Sequence, residues 1–264
     1  MKKIAWILAV LFVVTGRSSA RTFDRASGQS DELSQPLKID LQMGLTALRS
    51  LIDAHLSSVM SSLRAAAFSE EVRSGDWKKM KDLMVEIMKG EVPSVILYIR
   101  PDGSYFNSEI GFTNKNVKDR PYFARLASGQ EVVGDLVISR STGRIVSVFG
   151  VPIMKDGAFV GAVAASVFLV PLSETLAREI ALPKNMVFYA LNDRGDTALH
   201  SDTKWLLEKP VNLRSETLAL AVWEILAKKE GTTSYEFEGQ NKVVAFTVSP
   251  LTGWHVVLGF SSAE

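Results

Sequence analysis

The sequence predicts an α+β protein: a long N-terminal helix followed by two modules, each built on an antiparallel sheet. Three observations predict it. Apolar residues recur at intervals of three and four from Leu41 to Leu63. After Pro93 the period falls to two. The pattern of the first strand pair then returns at an offset of about 90 residues, as two copies of one module would leave it.

The chain of 264 residues is 47% hydrophobic and 22% charged, which places it among globular proteins rather than disordered ones. Its net charge of +1 is spread along the sequence, so no basic footprint points to nucleic acid. Residues 1–20 read as a secretory signal peptide: Lys2 and Lys3, an apolar run from Ile4 to Val14, then Ser18-Ser19-Ala20, with cleavage expected after Ala20. The run is about half of the roughly 20 residues that cross a bilayer, so an uncleaved membrane anchor is the alternative. Either way the expected location is periplasmic or secreted. There is no cysteine, which excludes disulfides and thiolate metal sites.

Residues 21–34 are polar and without period, a flexible leader. The helical region is expected over 35–90. Pro36 suits a first helical turn, and the stripe Leu41, Leu45, Leu48, Ile52, Leu56, Met60 and Leu63 carries one helix to about Ser74. A helix of that length, on the order of 55 Å, overshoots one small module and should brace two. "SGDW" breaks it, and "WKKMKDLMVEIMKG" forms a second helix closed by Gly90. The first module, 91–170, opens with the hairpin "SVILYIRPDGSYFNSE", turning at Asp102-Gly103. It continues through "EVVGDLVISR", "RIVSVFGVPIM" and "AFVGAVAASVFL", about five strands in all. A helical connector, 171–183, leads to the second module, 184–264. There "MVFYALNDRGDTALHS" repeats the layout of "VILYIRPDGSYFNS", "SETLALAVWEILAKKEG" reads as an amphipathic helix, and strands separated by "EGQN" and "LTG" close the chain.

The order of "LYIRPDGSYF", "DRPYF", "ISRSTGRIVSVFGVPI", "GAFVGAVAASVFL" and "GWHVVLGF" over residues 35 to 262 resembles the double Cache sensor domains of bacterial receptors. Those are extracytoplasmic tandem folds with two PAS-like modules. The resemblance implies that the first module takes the ligand and that the second is smaller and empty. It also implies that Arg120 meets a ligand carboxylate, with Tyr122 and Phe123 as the aromatic pair that follows. A guanidinium grips a carboxylate through two parallel hydrogen bonds, and aromatic walls strengthen that grip by excluding water. The family members that bind amino acids resemble one another in an aspartate where Ser166 stands here and an aromatic where Lys115 stands. Their absence points to a small organic acid rather than an α-amino acid.

Tyr98, Ser139, Ser141 and Ser166 complete the candidate ligand-binding set. Each has a plainer reading. Arg120 can make a surface ion pair, Tyr122 and Phe123 can be core rings, Tyr98 can face either side of its strand, and Ser139 and Ser141 fit hairpin chemistry. "NDRGD" at 192–196 is a turn, since the further acids of a calcium loop are missing. His55, His200 and His255 have no metal-ligand spacing, and no G-x-S-x-G elbow occurs. No catalysis, cofactor or metal is expected.

The reading is therefore a secreted, periplasmic double Cache sensor that binds a small carboxylate and signals through a partner, a membrane histidine kinase or chemoreceptor. One alternative is a solute-binding protein that hands its cargo to a permease. The other is a ligand-free interaction or structural protein, its long helix driving a homodimer.

Overall fold

The computed structural model describes residues 41–261. Helix α1 (Leu41–Phe68) buries the predicted stripe from Leu45 to Leu63, and its 28 residues span about 42 Å. It ends earlier than its periodicity predicts. Ser69 turns to an extended backbone, and its hydroxyl accepts the N–H of Val72, capping a separate turn of helix, α2 (Glu70–Arg73). Asp76 caps α3 (Trp77–Met88) in the same way, through the N–H of Lys78 at 3.0 Å. The expected signal peptide, the leader and the start of the first helix lie outside the described residues. Among the described residues, no helix is long and apolar enough to cross a membrane.

The first sheet contains β1 (Ser94–Ile99), β2 (Ser104–Asn107), β3 (Gly111–Asn116), β4 (Val132–Ile138), β5 (Ile145–Lys155) and β6 (Ala158–Phe168). Its order is β3-β2-β1-β6-β5-β4, antiparallel throughout. Six strands stand where about five were expected. The extra one, β3, is a polar edge strand with only Thr113 buried, so it offers no alternation to read. The β1–β2 turn needs glycine at Gly103: φ is +84°, and a Cβ there would sit 2.5 Å from Asn116 Oδ1. Helix α4 (Pro121–Ala127) bridges β3 and β4, and α5 (Leu169–Glu179) leaves the sheet directly after β6.

The second sheet contains β7 (Met186–Leu191), β8 (Thr197–His200), β9 (Glu230–Phe237), β10 (Gln240–Val248) and β11 (His255–Ser261), in the order β8-β7-β11-β10-β9. Two 3-10 turns, Thr203–Trp205 and Pro210–Asn212, and helix α6 (Glu216–Ala227) lie between β8 and β9. Without its edge strand β3, the first sheet has the same order as the second. The sequence repeat is thus a repeat of topology.

Each sheet has two apolar faces. One face of both sheets joins α1 in a common core that runs from Ile96 and Phe149 to Phe188, Ala245 and Leu258. α1 packs on β5 and β6 of the first sheet and on β10 and β11 of the second. The opposite faces keep separate clusters: Val95, Leu97, Tyr122, Phe123 and Val148 in the first, and Val187, Tyr189, Val222, Tyr235 and Phe246, partly from α6, in the second.

Candidate functional site

The segment "DRPYF" forms a helix start. Arg120 occupies the N-cap of α4 with an extended backbone, and Pro121 at the first helical position fixes the turn. The helix then throws Tyr122 and Phe123 inward, where both are buried. Arg120 stays partly exposed and points across to β4, its Nη2 donating to the carbonyl of Ile138 at 3.0 Å. It makes no ion pair among the described residues, whereas its neighbour Asp119 accepts from Nη1 and Nη2 of Arg140, each at 2.7 Å.

Arg120, Tyr122, Ser139, Ser141 and Ser166 line one small pocket on the face of the first sheet away from α1, with Leu97, Tyr105 and Val148 as its floor. The two serines of the β4–β5 turn lie 3.4 Å apart through their hydroxyls, and Ser141 Oγ accepts a long contact from the Asn107 amide. Ser166 reaches the pocket because it pairs with Val95 on one side and Val148 on the other, in phase with the face. Burial raises the Tyr122 phenol well above its ordinary value, against the opposing pull of Arg120 and Arg140, so it stays a neutral donor. The enclosed volume is about 10 Å³, room for one water molecule.

Phe123 and Tyr98 stand elsewhere. Phe123 turns its ring edge to Phe159, 6.0 Å away, within the core of that face. Tyr98 belongs to the α1 side, one residue out of phase with Leu97, and its hydroxyl lies against Gly75 and Gly161. Lys115 is exposed on β3. The arrangement offers two guanidinium groups, Arg120 and the Asp119-bound Arg140, with two phenols and three serine hydroxyls around a narrow space, a set suited to a small anion.

A second and roomier cavity, about 190 Å³, lies in the second module beside Tyr189, His200, Trp205 and Lys242. Sequence reading passed over it. The signal that could have found it is Lys242, which falls in phase with the buried Val244 and Phe246 of β10 and is thus an inward-facing cation.

Comparison with known proteins agrees with this architecture. The Cache domain family model matches residues 26–264. The ligand-binding domain of the Pseudomonas fluorescens chemoreceptor CtaA, solved with L-isoleucine, superposes with a TM-score of 0.65 at 15% identity, over 84% of this chain and 90% of that one. That of the Pseudomonas aeruginosa amino acid chemoreceptor PctB, solved with L-Arg, gives 0.68 at 14%, over 84% and 87%. An extracellular ligand binding receptor from Desulfohalobium retbaense gives 0.67 at 14%, over 86% of this chain and 41% of that one. No curated protein matches by sequence. With a family match over nearly the whole chain and the same two-sheet fold in receptor sensor domains, the chain belongs to the Cache domain family, as a double Cache sensor domain.

Proposed function

We propose that this protein is a periplasmic or secreted sensor that binds a small organic carboxylate in its first module and passes the event to a partner. The observation that carries this reading is Arg120: a guanidinium with no carboxylate partner among the described residues, set beside Tyr122 and the hydroxyls of Ser139, Ser141 and Ser166. A carboxylate would supply the missing anion through two charge-assisted bonds. Two of the solved structures named above, the CtaA and PctB domains, hold amino acids. Ser166 and Lys115, where amino-acid binders of the family resemble one another in an aspartate and an aromatic, favour an acid without an amine. Binding shifts a two-state equilibrium only by its differential affinity for the two states, so the narrow pocket must open around the ligand. The signal then goes to a membrane histidine kinase or chemoreceptor.

The test is thermal unfolding of the chain from Arg21, refolded free of co-purified molecules, against carboxylates, amino acids, amines and sugars. A ligand of the folded state at one hundred times its Kd adds about 2.7 kcal/mol, a clear rise in midpoint. The expected result is a rise with a carboxylate that Arg120→Ala removes while leaving the protein folded. A rise with amino acids alone would refute the assignment of Ser166. The small enclosed volume beside Tyr122 and the three serines favours a second reading, a first module without ligand that acts in protein–protein contact. A broad panel with no rise would select it.

A further inference from the structure

The topological repeat gives the chain a second face of the kind that carries Arg120. Strands β2-β1-β6-β5-β4 correspond in order to β8-β7-β11-β10-β9. The face that holds Leu97, Val148 and Ser166 in the first sheet therefore corresponds to the one that holds Tyr189, Tyr235 and Lys242 in the second. In the first module this space is nearly closed. In the second it is a cavity of about 190 Å³ between the sheet and the segment of 3-10 turns after β8. An apolar cavity of about 150 Å³ admits benzene, so this one has room for a ring and a few more atoms.

Its wall has a polar side and an apolar side. Tyr189 is buried with its hydroxyl beside that of Tyr235, yet it has no well-aligned hydrogen-bond partner among the described residues. That hydroxyl is sealed from the cavity, so Tyr189 contributes its ring to the wall and its oxygen to the packing behind it. The His200 ring stacks on Tyr189, with 5.8 Å between centroids and 14° between planes. Its Nδ1 accepts the N–H of Asp202 at 2.8 Å, which places the proton of the neutral ring on Nε2, a free donor. Lys242 is partly buried, makes no ion pair among the described residues, and lies 5.8 Å from the Phe237 centroid. Burial lowers its pKa, with Lys204 pushing the same way and Glu238 and Asp202 opposing.

Three acids also reach the rim, but all are exposed, and two of them, Asp202 and Glu238, face Lys204 at 2.8 and 3.9 Å. The inner groups are thus donors: a lysine and an imidazole N–H. Trp205 and Phe237, edge to face at 5.5 Å, supply the apolar side.

The geometry points to a second small-molecule site in the second module, one that takes a carboxylate on a compact apolar body of about ring size. Its anionic end meets Lys242 and His200 Nε2–H, and its body rests against Trp205 and Phe237. This site does not depend on the reading of Arg120.

The test is a titration of the whole chain with acetate, isobutyrate and benzoate, followed by the NMR signal of the Trp205 indole N–H, assigned with Trp205→Phe. Benzyl alcohol and benzylamine serve as neutral and cationic counterparts. Benzoate is expected to move the Trp205 signal at a concentration where the two counterparts do not. Lys242→Met, which keeps the stem and removes the charge, should weaken that response by about tenfold. Arg120→Ala should leave it unchanged. The site is refuted if no carboxylate moves Trp205, if the alcohol or the amine acts as strongly as benzoate, or if Lys242→Met has no effect. Loss of the response in Arg120→Ala would also refute it, by placing the ligand in the first module.

Discussion

Burial holds the His200 imidazole at a pKa of about 4, with Lys242 and Lys204 pushing the same way and Asp202 opposing them. An unfolded histidine titrates near 6.5. Between those two values the unfolded chain takes up a proton that the folded chain refuses, so this contribution is complete above about pH 6.5 and is lost as pH falls through about 4. The gap is worth about 3 kcal/mol. His200→Gln should flatten that part of the stability curve, seen as a smaller drop in urea midpoint from neutral pH to about pH 4.5. An unchanged drop would mean that His200 titrates freely. Single residues were legible where local chemistry dictates them and illegible where a strand's phase does. Pro121 after Arg120 announces a helix start. Tyr98 gives no hint in its own sequence that it faces α1, because every residue of β1 is buried and alternation is invisible there.

At the scale of elements, the bulge in β4 is the telling detail. The pairing of β4 with β5 slips between Val133 and Asp135, and Gly134 sits there with φ at +87°. The Trp254 indole, at the entrance to β11, lies against it: a Cβ on Gly134 would approach the indole nitrogen to 3.1 Å. The first sheet thus receives a large ring from the second through the one residue type that leaves room for it. Gly134→Val should destabilise by about 1–3 kcal/mol from backbone strain alone, more if Trp254 is displaced, and chemical denaturation would measure it. Wild-type stability in that variant would show that the contact is loose. The strong periodic elements were readable, and the exceptions have physical causes. β3 pairs through its backbone with almost no buried side chain, and α1 stops at Ser69 because a hydroxyl cap outcompetes a stripe that continues through Ala66 and Ala67 into Val72.

At the scale of the whole molecule, the repeat in sequence became a repeat of strand order, and the long stripe became a helix packed on both sheets. The cavities were the least legible part. Whether a face is filled depends on side chains brought from several strands and a loop, and the segment after β8 that walls the cavity of the second module has no period to read.

Because one helix is built into both cores, neither sheet can melt without stripping apolar cover from the other. Heat should therefore produce a single calorimetric peak with equal van't Hoff and calorimetric enthalpies, where two loosely joined modules would give two. A ligand held by either module would then move that same peak, lending its binding energy to the half of the protein it never touches.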